Sequence, residues 1–291
     1  MKKSKKKSVR FLLNFTKKYL PLKIYSLILY IRHFRKFKKY LNKNKTNEKF
    51  SENLDEINKY EYKITSQNNE DGIIEYIFSK IPNNKFFVEL GFDFYEFNSL
   101  NLIKNGWNGL LIEGDFDECL IMDSCIKKFF PKADVKVLNK RIYKDNLNSI
   151  ILEKAKNHEI DFFSIDLDGN DYWVLDNLNF EKIKVVCLEY NNVLGNNVKK
   201  VMPYNADHEF TRNGCFGLSL CAAADLMISK GFELIGIDSS GVNAFFVKKE
   251  FSKHFQILSP TKSFKVSNRF YTEEQIKKQY ENVKKFKFIE L

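Results

Sequence analysis

The sequence predicts an α/β fold in which a doubly wound, mostly parallel sheet is closed by a C-terminal antiparallel hairpin. Three observations lead there. Short continuous apolar runs, "FFVEL", "GLLIE", "DFFSI" and "KVVCLE", suit strands covered on both faces. Helical stretches separate these runs, so neighbouring strands must pair in parallel through crossovers. The last two runs, Phe232–Ile237 and Ala244–Lys249, are joined only by Asp238-Ser-Ser-Gly-Val-Asn243, a link suited to a hairpin and too short for a crossover.

Taken in order, the folded body begins near Tyr62. Ile73, Ile74, Ile77 and Phe78 fall at helical spacing in Gly72–Lys80, and the strand Phe86–Leu90 follows. A helix over Ser99–Asn105, a strand over Gly109–Glu113 and a helix over about Asp117–Phe129 repeat the pattern. Next come a strand Val135–Tyr143, a helix Leu147–Asn157, a strand Asp161–Asp166, a short helix Tyr172–Leu178 and a strand Lys184–Glu189. A long loop, Asn191–Gly217, then leads to the helix Leu218–Lys230, which Gly231 terminates ahead of the hairpin. Thr272-Glu-Glu-Gln275 reads as a capping box opening a last helix to about Lys285.

Composition sets the surroundings. A chain of 291 residues, 44% hydrophobic and 15% aromatic, can fill a sizeable core. Its formal charge of +11 points to nucleic acid until the charges are located: the first 45 residues hold 16 Lys/Arg and no acid, leaving 32 basic against 37 acidic residues in the rest. The basicity is a tail, and no nucleic-acid partner is expected for the acidic body. We therefore divide the chain into a basic amphipathic tail (1–45), a polar linker (46–61), the α/β domain (62–250) and a helical extension (251–291). The longest uncharged stretch of the tail, Ile24–Ile31, is far short of the ~20 residues of a bilayer span. Three readings remain for the tail: an interfacial helix on an anionic membrane surface, a solvated basic segment, or a helix packed on the domain. Cysteines 119, 125, 187, 215 and 221 are odd in number, lack a Cys-x-x-Cys pair and lie mostly in apolar runs, which fits reduced core thiols in a cytoplasm.

In open α/β sheets ligands bind at the carboxyl ends of the strands, and the acids of this chain collect there. The first strand ends Glu89-Leu-Gly91-Phe-Asp93, with Asn98 opening the next helix, and the second ends at Glu113, 22 residues after Gly91. A tight glycine turn followed by an acid about twenty residues on is the arrangement that holds a ribose diol. The G-x-G-x-x-G needed by a pyrophosphate is missing, which points to a nucleoside cofactor without phosphates, such as S-adenosylmethionine. The fourth strand ends in "SIDLDGNDYW", carrying Asp166, Asp168 and Asp171, and the fifth ends Glu189-Tyr-Asn191. Acids so close raise one another's pKa unless a cation relieves them, so Asp166, Asp168 and Glu189 are candidates for proton transfer or for a divalent ion, Mg²⁺ or Mn²⁺. An EF-hand is excluded, because counting from Asp166 its glycine position is Asp171 and its glutamate position Asn177. Asp171 is better placed to cap the short helix. The four histidines show no metal-ligand spacing, with His208 set apart by its place in the long loop.

The motifs "SQNNEDGIIEYIF", "FFVELGFD", "NSLNLIKNGWNGLLIEGD", "DFFSIDLDGNDYWVL", "VVCLEYN" and "GVNAFFV", spanning about Ser66 to Lys249, resemble in order those of FkbM-type methyltransferases of bacterial surface-polysaccharide biosynthesis. The resemblance implies a Rossmann-like methyltransferase sheet that binds S-adenosylmethionine and methylates hydroxyls, often of sugars. It places Glu89, Gly91 and Asp93 in the methionine-side loop, Glu113 on the ribose and Asp166 where donor and acceptor meet. One departure stands out: Phe92, Phe94 and Tyr95 occupy a turn that in the family carries small residues. The expected function is a cytoplasmic O-methyltransferase of a glycan or glycan precursor, held at the inner membrane by its tail. In it Asp166 and Asp168, alone or through a divalent ion, deprotonate or orient the acceptor hydroxyl. Two other readings are a metal-dependent glycosyltransferase using Asp166-Leu-Asp168 as its D-x-D, and a degenerate methyltransferase-like binding module, for which Phe92 and Phe94 are the motive.

Overall fold

The computed structural model describes residues 21–47, 54–156, 158–266 and 272–291. Seven strands form one sheet in the order β3-β2-β1-β4-β5-β8-β7. These are β1 (Phe86–Leu90), β2 (Asn108–Glu113), β3 (Val135–Asn139), β4 (Ile160–Ile165), β5 (Ile183–Glu189), β7 (Phe232–Ile237) and β8 (Asn243–Lys248). The first five pair in parallel, and β8 runs antiparallel between β5 and β7. The expected fold class is what the chain adopts. The strand order reverses between β1 and β4, which makes their carboxyl ends the switch point where a crevice opens.

Two apolar layers sandwich the sheet. On one face α5 (Leu147–Lys154), α6 (Asp171–Asn177) and α7 (Leu220–Ser229) pack on Val88, Phe163 and Val186. The other face lies against α1 (Leu22–Leu41), α2 (Glu70–Lys80), α3 (Leu100–Lys104) and α4 (Phe116–Phe129), with Phe87, Phe162 and Phe245 between. Every residue of β1 and β4 is buried, and each phenylalanine so covered stabilises the fold by roughly 1.5–3 kcal/mol. All five cysteines are free and buried.

The structure corrects several boundaries. The third strand stops at Asn139, not Tyr143, because the Asn139 side chain turns back to donate to the carbonyls of Glu113 and Gly114 at 3.1 and 2.9 Å. Helix α5 ends at Lys154 instead of Asn157. The presumed linker is partly body: Asp55 and Asn58 close a reciprocal cap on a 3-10 turn over Glu56–Tyr60, and Ile57 is buried against Gly236. Residues 48–53 of it lie outside the described residues, as do residues 1–20 of the tail.

The described part of the tail is a helix packed on the domain. Tyr25, Phe37 and Tyr40 of α1 are buried, Phe34 stacks on Phe129, and the Tyr25 hydroxyl donates to Asp117 at 2.9 Å. Its Ile24, Leu27 and Ile31 face outward. No helix among the described residues is long and apolar enough to cross a membrane.

The C-terminal extension finds a place as well. After a short α8 (Pro260–Ser263), α9 (Glu273–Lys285) starts at the expected capping box. A terminal strand β9 (Ile289–Glu290) pairs antiparallel with β6 (Lys200–Val201), inside the long loop.

Candidate functional site

A cleft of about 1050 Å³ opens over the carboxyl ends of the parallel strands, and Gly91, Asn98, Glu113, Asp166, Asp168 and Glu189 all line it. Residues far apart in sequence meet because each parallel strand points its last residue to one edge of the sheet.

At the end of β1 the chain must turn beneath β4. Gly91 adopts φ +74°, and a Cβ there would lie 1.7 Å from the Asp166 carbonyl oxygen. Gly91 lines the cleft, and the group crowding its Cα is the backbone of Asp166 just past β4. Glu89, expected to face the cofactor, is 4% exposed, and its carboxylate accepts the amides of Asn98 and Ser99, each at 2.8 Å, and the Ser99 hydroxyl. Burial raises its pKa to about 7. Its observed contacts hold the first turn before α3. Asn98 is pinned by donating to the Ser164 hydroxyl at 3.1 Å. Asp93 lines the cleft while its Oδ1 accepts the Tyr95 amide at 2.8 Å. The bulky rings of the turn are largely turned inward: Phe94 is buried against His33, Phe37 and Tyr95, while Phe92 packs against Phe97 and lines the cleft with 3% of its surface exposed.

Glu113 ends β2 half-buried on the cleft, steadied by the Asp115 amide at 2.7 Å, and burial lifts its pKa. Asp115 caps α4 by accepting from Asp117 and Glu118 at 2.8 and 3.0 Å. Glu118, which the sequence reading passed over, accepts the Phe94 amide at 3.1 Å and so ties the first turn to the second. It carries a pKa raised to about 7, chiefly by burial.

Across the cleft stand the acids of β4 and β5. Asp166, Asp168 and Glu189 each offer an oxygen within 4.8 Å of the others. Asp166 and Glu189 hydrogen-bond to each other through their carboxyls, and burial followed by the neighbouring negative charges raises both well above the usual range. One proton is therefore shared between them. Asp166 Oδ1 is sealed from solvent and accepts no N–H or hydroxyl hydrogen bond among the described residues. Asp168 rises only to about 6, for the same causes, with Arg212 pulling the other way. It holds a left-handed φ of +57°, a conformation that a non-glycine residue adopts at a cost. Asp171 is buried and accepts the amides of Leu167 and Gly169 at 2.8 and 3.0 Å, the structural task expected of it, although it staples the turn backwards instead of capping α6. Asn191 likewise serves the loop, donating to the carbonyls of Gly214 and Phe216.

The long loop covers this corner. His208 lies over Gly169, where a Cβ would meet its ring at 2.3 Å, and its Nε2 sits 2.9 Å from the Asp168 carbonyl, which fixes the proton on Nε2. Arg141 donates to the His208 carbonyl at 3.3 Å. Arg141, Arg212 and Gln279 line the cleft and were missed in the sequence. Extending the third strand to Tyr143 hid Arg141 in a supposed sheet, and no local pattern marks the other two.

No protein-family model matches the chain, and no curated protein matches it, so the FkbM-type resemblance rests on the motifs alone. Solved structures similar to it are S-adenosylmethionine-dependent methyltransferases. One, from Clostridium acetobutylicum ATCC 824, is 11% identical and matches over 62% of this chain and 90% of its own, with a TM-score of 0.40. M. capricolum TrmK, in complex with the natural cofactor product S-adenosylhomocysteine, is 13% identical over 70% of this chain and 73% of its own, at 0.34. The N-terminal domain of EvdMO1 with S-adenosylhomocysteine bound is 14% identical over 63% and 80%, at 0.39.

Proposed function

We propose that this chain is an S-adenosylmethionine-dependent O-methyltransferase acting on a glycan or glycan precursor. The reading is supported by Glu113 and Asp166 lining one cleft at the switch point of the sheet, with an Asp166 oxygen buried there that accepts no N–H or hydroxyl. Bound S-adenosylmethionine supplies a sulfonium methyl group open to displacement. Glu113 suits the two hydroxyls of its ribose, and the acid-rich walls suit its positive charge. Because Asp166 and Glu189 keep a proton between them, Asp168 is the carboxylate ionised at neutral pH and takes the proton of the acceptor hydroxyl. Asp166, on the same rim, helps to orient that hydroxyl, and most of the acceleration comes from alignment.

The same three carboxylates form an all-oxygen donor set that fits Mg²⁺ or Mn²⁺. Such an ion would be held by Asp166, Asp168 and Glu189 in place of their shared proton, and would make the acceptor hydroxyl more acidic. We place the protein in the cytoplasm at an anionic membrane surface, since Ile24, Leu27 and Ile31 of α1 face outward beside exposed Arg35, Lys36, Lys38 and Lys39.

Calorimetric titration with S-adenosylmethionine, with and without Mg²⁺, tests the reading. Micromolar binding is the expected result, and Glu113→Gln should weaken it about tenfold, as the loss of a charge-assisted hydrogen bond does. Absence of binding in both conditions rejects it, and Mn²⁺-dependent hydrolysis of a UDP-sugar would favour the glycosyltransferase reading of Asp166-Leu-Asp168.

A further inference from the structure

Two guanidinium groups converge on the acceptor side of the cleft, and the methyl-transfer chemistry uses neither. Arg141 follows β3 and Arg212 comes from the long loop; both line the cleft beside the Asp168–His208 corner. Among the described residues no salt bridge holds either one, although the charge of Arg212 is felt at Asp168. Arg141 places one N–H on the His208 carbonyl, leaving its other donors available. Arg212 is the more deliberately placed. Its φ of +59° is left-handed, which a long side chain adopts only when its surroundings impose it. The C-terminal helix supplies the restraint: buried Gln279 donates to the Arg212 carbonyl at 3.2 Å, and Asn282 donates to the next carbonyl, that of Asn213, at 3.1 Å. Gly214 permits this contact, because a Cβ there would stand 2.9 Å from that of Gln279.

We infer that the acceptor carries an anionic group, a phosphate or a carboxylate, which Arg141 and Arg212 bind beside the reacting hydroxyl. The inference rests on the methyltransferase reading and names the substrate class. The charges along the cleft allow it: Glu113, Asp115 and Glu118 line the part assigned to a cationic cofactor, while Arg141 and Arg212 bring positive charge to the part that holds Asp166, Asp168 and Glu189. The planar guanidinium matches two oxygens of a phosphate or carboxylate at once. Gln279 acts as a positioning residue, and α9 gains a task in recognition.

Full-length protein would be titrated calorimetrically with glucose 6-phosphate, glucuronate and glucose, with and without S-adenosylhomocysteine. At least one anionic sugar should bind about tenfold or more tightly than glucose, and Arg141→Gln or Arg212→Gln should each remove about tenfold of that preference. Which anion gains tells phosphate from carboxylate. Gln279→Ala should weaken the anionic probe by a smaller factor and leave glucose unchanged, a split that general loosening would not produce. Equal binding of all three sugars, failure of both anions to bind, or variants that keep the wild-type preference, overturns the inference. Failure of S-adenosylhomocysteine to bind would count against the methyltransferase reading instead, since the titrations without it still measure the preference for anions.

Discussion

Asp238, at the end of β7, and Asp166, at the end of β4, are acids in the same kind of position with opposite hydrogen bonding. Asp238 Oδ1 accepts the amides of Val242 and Asn243 at 2.9 and 2.6 Å, and Oδ2 accepts the Ser240 amide at 3.1 Å and the Ser240 hydroxyl. Its neighbour Glu70 accepts from the Asn68 amide and from the side chains of Asn68 and Asn243, at 2.7 to 2.8 Å. Asp166 leaves one buried oxygen with no N–H or hydroxyl partner. Burial raises the pKa in both places, Glu70 to about 7 and Asp238 to about 6, so a raised pKa does not by itself tell a working acid from a structural one. What separates them is the accounting of hydrogen bonds. The acids near β7 shape the hairpin turn Asp238–Asn243, whereas the Asp166 oxygen at the end of β4 is left without a backbone or hydroxyl donor.

Asp168→Asn gives the sharpest division. Asparagine tolerates the left-handed backbone, so the fold should survive while methyl transfer falls by about 10²–10⁴-fold, the usual contribution of a general base. In the wild type the rate should rise with pH through about 6 as Asp168 loses its proton, and the variant should lack that rise. Assays across pH 5 to 8, a range bracketing the usual carboxylate shifts, check both. The counterpart, Asp238→Asn, should leave any per-molecule rate intact and reduce stability by about 1–3 kcal/mol, because two amides lose a charged acceptor. Denaturant unfolding measures it, and a loss of activity without a loss of stability would erase the distinction drawn above.

The smallest effect concerns pH. Glu70 and Asp238 hold protons up to about 7 and about 6 when folded, against 4.5 and 3.8 ordinarily. Across that window the folded chain binds more protons than the unfolded one, so this contribution to stability is present in acid and lost as pH rises towards 7. Melting temperatures should be higher near pH 5 than near pH 7, and Glu70→Gln should flatten the difference.

The sheet was legible because each strand carries its own apolar run, and the acids could be assigned to one rim once the strands were taken as parallel. Glu113, Asp166, Asp168 and Glu189 do line one cleft. The partners that define their chemistry were not legible. Gln279 reaches Arg212 across 67 positions and α1 reaches Asp117 across 92, and no local periodicity records such meetings. Glu89 lines the cleft as its strand-end position led one to expect, but the amides of Asn98 and Ser99 that its oxygens accept were not legible. Lysine-rich composition likewise concealed Tyr25, Phe37 and Tyr40, which dock α1 on the domain.

That docking bears on how the protein can be handled. His33 Nδ1 meets the Tyr95 hydroxyl at 2.6 Å and Phe37 lies against Phe94, so the lysine-laden leader forms the rear wall of the turn after Gly91. A gene trimmed to the sheet for easier purification would strip that wall away, wetting aromatic rings that are now dry and loosening the bend after Gly91. Poor nucleoside affinity in so shortened a product would then report on the cloning boundary, not on the full-length chain.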